Sequence, residues 1–382
     1  MKHSIIITAV FRTSVLLSVG CSPQHSVTVE NSLGVDRNDE IVEIDAAAVD
    51  SLMNHRQFRI IDDKDREVPY QVTYDGRLIF PATVAANSIT VYTLVEGEPA
   101  DVDTIATGAF YPRRKDDFTW ENDRSAYRAY GPALQQSGER AFGYDIWTKS
   151  VARPVVAQRY TDAFAEVKNF HHDYGEGMDV YSVGPTLGGG TGALIDSVGT
   201  IVYPRSFRSF EILDNGPLRF TVKLEYGSDL GDAVSENRTI SLDAGSFLNK
   251  TTVSFSGLPA NIKYAPGIVV HRQNPDGYSL HPKETVMAYA DLTDNENAGN
   301  GVIFIGVVAP QADTLCVRNM PEPEGDAIAH LLAKSMYAPD SEYTYFWGSG
   351  WSKGSMPDWQ TWKEYLLNYR RRLDNPLKIE IK

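Results

Sequence analysis

Residues Leu218–Ser256 read LRFTVKLEYGSDLGDAVSENRTISLDAGSFLNKTTVSFS. Three runs within them, Leu218–Tyr226, Ser235–Asp243 and Leu248–Ser256, are rich in Val, Ile, Thr, Tyr and Phe and are separated by Gly, Ser and Asp. β-Branched and aromatic side chains suit a pleated, half-buried surface, and no helix-period pattern competes. The same pattern continues outward. Thr119–Tyr130, Val151–Tyr160, Ile195–Tyr203 and Ser206–Asp214 precede the stretch; Ile268–His271, Thr285–Asp291 and Val302–Val308 follow it. So many short strands with recurring turns predict an all-β fold, a large antiparallel two-sheet sandwich.

Residues 26–97 read as a separate, smaller β-sandwich. Ser26–Glu30 and Glu40–Ile44 roughly alternate apolar and polar, and Ile89–Val95 is again β-branched and aromatic. Asp62-Asp63-Lys64-Asp65 and Asp75-Gly76-Arg77 supply hairpin turns. A polar connector, residues 98–110, leads into the larger region. The expected division is 1–21 signal, 22–98 N-terminal sandwich and 99–382 large sandwich. One helix is expected, near the end. Pro357-Asp358 opens it, Trp359, Trp362, Leu366 and Tyr369 share a face, Arg370–Arg372 suit its last turn, and Asn375-Pro376 stops it.

The first residues have the pattern of an export signal: Lys2 and His3, then the apolar Ile5–Phe11 and Val15–Val19, then Gly20-Cys21. Cysteine after Leu-Ser-Val-Gly predicts a lipidated Cys21 and a periplasmic or outer-membrane lipoprotein, held to the inner or outer membrane by the lipid alone. Cleavage nearby without lipid gives the same export. Cys316 is then the sole remaining cysteine, so no intramolecular disulfide is expected. The formal net charge of −14 argues against nucleic acid, whose binding runs on phosphate neutralisation by Lys and Arg. Residues 104–172 break the trend, with ten Lys/Arg against eight Asp/Glu. An anionic ligand would be held there.

Chemistry-bearing residues concentrate in Lys168–Gly192, KNFHHDYGEGMDVYSVGPTLGGGTG. Glycine so dense marks sharp turns or close approach of a ligand, and the stretch reads as the floor of a saccharide site. His171, Asp173 and Gly175 would alternate on one strand face, followed by Asp179, Tyr181 and Val183 after a turn. His171 exchanges protons near neutral pH, and Asp173 or Asp179 could fix its tautomer. Adjacent strand residues point oppositely, so His171 and His172 are not expected to share a metal ion, and no cofactor is expected; one histidine with distant metal partners stays open. Gly188-Gly189-Gly190 lacks the Lys-Ser/Thr of a phosphate loop.

Three other groups join it. Read as one strand, Trp120, Asn122, Arg124, Ala126 and Arg128 share a face, so that Arg124 and Arg128 could clamp a carboxylate; a cross-strand ion pair is the alternative. Trp147 could stack on a sugar ring with Lys149 as a base or anion contact, and a buried tryptophan is the alternative. Phe346–Gly354, with Trp347, Trp351 and Lys353, has the look of a sugar-stacking loop. His271 ends an apolar strand and could be a second acid–base group, though a satisfied strand-end histidine is the stronger reading.

Trp120-Glu121-Asn122-Asp123-Arg124, the run His171-x-Asp173-x-Gly175-Glu176-Gly177-x-Asp179-x-Tyr181-x-x-Gly184, and Trp347-Gly348 together resemble a family of secreted bacterial proteins catalogued as a domain of unknown function. Members accompany polysaccharide-degradation genes, and the family's best-understood branch resembles the oligosaccharide dehydratases of ulvan breakdown. Tyr174 stands where that pattern has a second histidine. The resemblance spans about residues 24–382. It implies a galactose-mutarotase-like β-supersandwich behind a small β-domain, and β-elimination from a uronic acid in an anionic oligosaccharide. Such chemistry needs a base at C5, an acid for the group leaving C4 and a partner for the carboxylate. The expected roles are Arg124 and Arg128 as clamp, His171 and Tyr181 as base and acid in either order, Asp173 or Asp179 as orienting groups, and Lys149 as reserve base. Trp120, Asn122, Trp147, Glu176, Trp351 and Lys353 complete the expected substrate contacts. A glycoside hydrolase using two of Glu121, Asp123, Glu176 and Asp179 is the enzymatic rival. A non-catalytic glycan-binding lipoprotein is the other.

Overall fold

Arg219–Gly227, Ser235–Asp243 and Leu248–Ser256 lie side by side in an eight-stranded antiparallel sheet, between the edge strand Phe207–Asn215 and the run Glu342–Trp351, Ile303–Val308, Val286–Asp291 and Tyr278–His281. The computed structural model describes residues 25–382 apart from Ala260, so the expected signal and Cys21 lie outside the described residues. Burial alternates along Ser235–Asp243, and its inward residues Ile240 and Leu242 meet Val222, Leu224 and Val253 of the flanking strands. These side chains form one core with Ile268, Leu331 and Ala333 of a second, five-stranded sheet. That sheet runs Ile201–Val202, Gly189–Ile195, Lys263–His271, Ala327–Met336, Thr314–Glu324. Each large apolar side chain buried in such a core contributes about 1.5–3 kcal/mol.

A four-stranded sheet, Thr107–Tyr111, Asp117–Glu121, Ala126–Ala129 and Asp145–Trp147, packs on this core through Trp120, Tyr127 and Tyr144, all in ring contact with Trp347. Outside the eight-stranded sheet lies the expected C-terminal helix, Trp359–Asp374. Asp358 caps it by accepting from the Thr361 N–H at 2.9 Å, and Trp362 and Leu366 face Gly306 and Gly350 of the sheet. A Cβ on Gly306 would lie 2.6 Å from both Leu366 methyls, so the close approach requires glycine. Among the described residues no helix is long and apolar enough to cross a membrane.

The small sandwich stacks a five-stranded sheet on a three-stranded one, around Val27, Val29, Ile60, Phe80 and Leu94. Its edge strand is Lys378–Ile381, paired with His25–Asn31, so that Val27 lies opposite Ile381. A boundary at residue 98/99 leaves this last strand on the wrong side.

Several local expectations are corrected. Thr119–Tyr130 is a hairpin, because the Asn122 side-chain oxygen accepts from the Arg124 and Ser125 N–H groups and turns the chain. Val151–Tyr160 is not a strand. Val156–Phe164 is helical, with Val156 and Tyr160 packed beside Trp147. Ile195–Tyr203 breaks where Asp196 accepts from Val198 and Thr200. Two further short helices, Ala46–Leu52 and Pro132–Gln136, join these. Phe346–Gly354 is no loop: Glu342–Trp351 is an interior strand of the eight-stranded sheet.

Candidate functional site

Lys168–Gly192 crosses the end of the large sandwich as irregular chain until Gly189, not as strands alternating His171 with Asp173. Gly175 and Gly184, at positive φ with open space around them, turn the chain; its other glycines serve close packing. At Gly177, with φ +98°, a Cβ would lie 2.2 Å from the Thr148 carbonyl oxygen; at Gly192 it would strike the Tyr264 hydroxyl at 1.9 Å. Asp173 is a turn cap that accepts from the N–H groups of Gly175, Glu176 and Gly177. Burial works to raise its pKa, but the three donors win and hold it below the usual range. His171 is exposed and its Nδ1 meets the Asp179 carbonyl oxygen at 2.7 Å.

The expected arginine clamp does not form. Arg124 sits in the hairpin turn, paired with Asp123 at 3.1 Å. Arg128 lies on the following strand, buried, with Asp145 at 2.5 Å, Asp179 at 3.1 Å and Asp117 at 3.4 Å. Three carboxylates occupy both of its terminal nitrogens, so it has no fork left for a sugar acid. Lys149 is equally committed. Its Nζ donates to Glu121 at 2.6 Å and to the carbonyls of Asn122 and Arg153, and burial pulls its pKa down against the charge of Glu121. It is a buried anchor, not a reserve base.

The expected sugar platforms are core. Trp120 donates to Asn249, Trp147 stacks on Tyr160 and donates to Asp145, and Trp351 donates to the Asn300 carbonyl. Asn122 spends its amide on the Asp243 and Ser246 carbonyls. Lys353 is exposed, near Asp173. The carboxylates of the hydrolase reading are also occupied. Glu121 holds Lys149 and accepts from the Val155 and Val156 N–H groups, Asp123 accepts from Gly245, Glu176 pairs with Arg153, and Asp179 faces Arg128.

Tyr181 meets a histidine, but not His171. Its ring lies edge-on to His271, with centroids 5.9 Å apart. His271 ends the strand Lys263–His271, and its Nδ1 meets Asp291 Oδ2 at 2.6 Å at the end of Val286–Asp291. With the Nδ1 proton held by that carboxylate, Nε2 is the nitrogen left for chemistry. Among the described residues the buried Tyr181 hydroxyl has no hydrogen-bond partner, and His271 Nε2 has Asp326 Oδ1 4.0 Å away. Burial, then Asp291, Tyr289, Asp145 and Asp326, drives the phenol far above its ordinary pKa, so it stays neutral. Burial lowers the imidazole's pKa, but the Asp291 hydrogen bond and charge, with Asp326, leave it net raised.

The pair is 6 % and 2 % exposed under a rim of Ser182 and Asp326, bonded at 3.0 Å, and of Asp294, whose N–H donates to the Val180 carbonyl. Sequence reasoning undervalued His271 and missed Asp291 and Asp326. A histidine and an aspartate, each closing an apolar strand, were the available signal; their adjacency depends on which strands share an end.

A two-sheet antiparallel sandwich with an appended β-domain and a buried Tyr–His–Asp group defines the class of this protein. The chain belongs to the family described as "Domain of unknown function (DUF4861)", whose model matches residues 29–379. It is 25% identical over 419 residues to "Uncharacterized protein P7" of Formosa agariphila, with 100% of both chains covered. Among solved structures it is similar to an alpha-mannosidase from Enterococcus faecalis V583 (8% identity, TM-score 0.46, 94% of this chain and 46% of that one). A protein in glycosyl hydrolase family 38 from Enterococcus faecalis gives 8% identity and a TM-score of 0.44, covering 94% of this chain and 47% of that one. The chain spans a little under half the length of either.

Proposed function

We propose that this protein is a carbohydrate-active enzyme that eliminates the C4 substituent of a uronic acid in an oligosaccharide. The observation that carries the reading is the buried Tyr181 ring set edge-on to His271, with Asp291 on the imidazole Nδ1 and Asp326 Oδ1 4.0 Å from Nε2. His271 Nε2 takes the C5 proton, and the electron pair forms the C4–C5 double bond as the C4–O bond breaks. Tyr181, kept neutral by its surroundings, gives its proton to the departing oxygen. A hydroxyl leaving group makes the protein a dehydratase; a sugar makes it a lyase. The resemblance in Trp120–Arg124 and His171–Gly184 supports the uronate, and the net-basic segment 104–172 is consistent with it. Because both reactive side chains are almost fully covered, substrate entry requires the Asp294 and Asp326 rim to move aside.

Each proton-transfer group is expected to contribute ~100- to 10,000-fold. His271→Ala and Tyr181→Phe therefore lose at least ~100-fold in turnover of uronate oligosaccharides while keeping the wild-type melting profile. Asp291→Asn lowers the imidazole pKa, so the rising limb of the pH–rate profile moves to more acidic pH. Variants that retain wild-type rates, or a limb that stays in place, would remove the pair from the mechanism.

A further inference from the structure

The outer face of the five-stranded sheet is only half covered. Leu187, Ile201 and Tyr203 close one half over Ala193, Ala265 and Leu332. The other half is an open groove of about 800 Å³ above Cys316, bordered by Lys263, Lys334 and Arg318. None of these three cations has a carboxylate within salt-bridge distance among the described residues. Arg318 donates one Nη1 proton to the Gly199 carbonyl. The acid on the groove, Asp196, is spent on its own turn, accepting from Val198 at 3.1 Å and Thr200 at 2.6 Å. In a chain of 50 Asp/Glu and 36 Lys/Arg, three unpaired cations around one depression concentrate positive potential where the rest of the surface repels anions. Met336 and Val198, 49 % and 85 % exposed, add apolar surface at the rim.

We infer that this groove is a second binding site, for the chain of an anionic polysaccharide. A pyranose presents apolar C–H faces, which suit the exposed Val198 and Met336, and carboxylate or sulfate groups at its edge, which suit the two lysines and the arginine. The site lies on the sheet's outer face, away from the sandwich interior that Tyr181 and His271 border, so it holds polymer without taking part in proton transfer. The inference rests on the proposed substrate class.

The test uses the full chain with polygalacturonate as anionic probe and dextran as neutral control, read by affinity electrophoresis. Turnover of short uronate oligosaccharides is measured separately. Wild type binds polygalacturonate with an affinity that falls as salt rises and is not retarded by dextran. K263E/R318E/K334E weakens that binding ~10-fold or more, with oligosaccharide turnover unchanged. K263A/K334A serves if charge reversal lowers the melting temperature, and weakens binding in the same direction. Retention within twofold of wild type, equal retardation by dextran, or a wild-type dimer that the variant dissociates would overturn the inference. Groove-dependent binding in a protein inert toward every oligosaccharide would leave the groove standing and sink the elimination reading instead.

Discussion

Around Arg128 one guanidinium balances Asp117, Asp145 and Asp179, all buried, so the cluster is short of positive charge. Asp179 carries the consequence. Burial first, then the charge of Asp145, pushes its carboxyl up to about 7 against the pull of Arg128 and His171. Its pKa in the unfolded chain is about 3.9, so the folded state holds a proton that the unfolded state has released. Stability from this group is therefore present below about pH 4 and declines as pH rises toward 7. Asp179→Asn keeps the neutral shape and removes the titration. Between pH 5 and 8 the wild-type melting temperature should fall relative to that of the variant. Parallel curves would show that another carboxylate holds the proton. The residue types of this cluster were visible in the sequence, but their pairing with Arg128 was not, because Asp145 and Asp179 reach it from separate segments.

Elements whose side chains are dictated by local pattern were legible. Ser235–Asp243 and Leu248–Ser256 form at the bounds their composition predicts, and the C-terminal helix starts at its cap and buries Trp362 and Leu366. Errors arose where one polar side chain or one packing contact decides. Asn122 folds back a stretch that otherwise reads as a continuous strand. Glu121 accepts from the first N–H groups of Val156–Phe164, a support for that helix supplied from a distant strand. Glycines at 348 and 350 suggested a loop, yet Gly350 is where Met356 and Trp362 press on the sheet. The helix–sheet contact gives a direct test. Gly306→Ala drives a methyl into Leu366 and should cost about 1–3 kcal/mol as overpacking, seen as a lower urea midpoint at unchanged slope. An unchanged midpoint would mean that the helix is free to lift away.

At the scale of the whole molecule, the two ends of the described chain close the small sandwich. Lys378–Ile381 pairs with His25–Asn31, and Ile379 and Ile381 lie half-buried against its core. No local signal predicts a partner so far along the chain. Deleting residues 378–382 removes that edge and should destabilise the small sandwich by about 2–4 kcal/mol, from the apolar burial of two isoleucines. Calorimetry would show this as a lowered or separate transition, whereas one unchanged transition would contradict it. The site follows the same logic of ends: Tyr181, His271 and Asp291 come from three segments that finish at one end of the large sandwich. The export signal and the lipid at Cys21 remain proposals from sequence.

The most direct measurement is the chemistry of the product. Wild-type protein incubated with a panel of uronic-acid oligosaccharides should generate ultraviolet absorbance from a double bond conjugated to the carboxylate. Mass spectrometry should show loss of one water, or chain cleavage without gain of water, and Tyr181→Phe should suppress both signals. Products that gain water and show no new absorbance, or a Tyr181→Phe protein as active as wild type, would contradict elimination at this site.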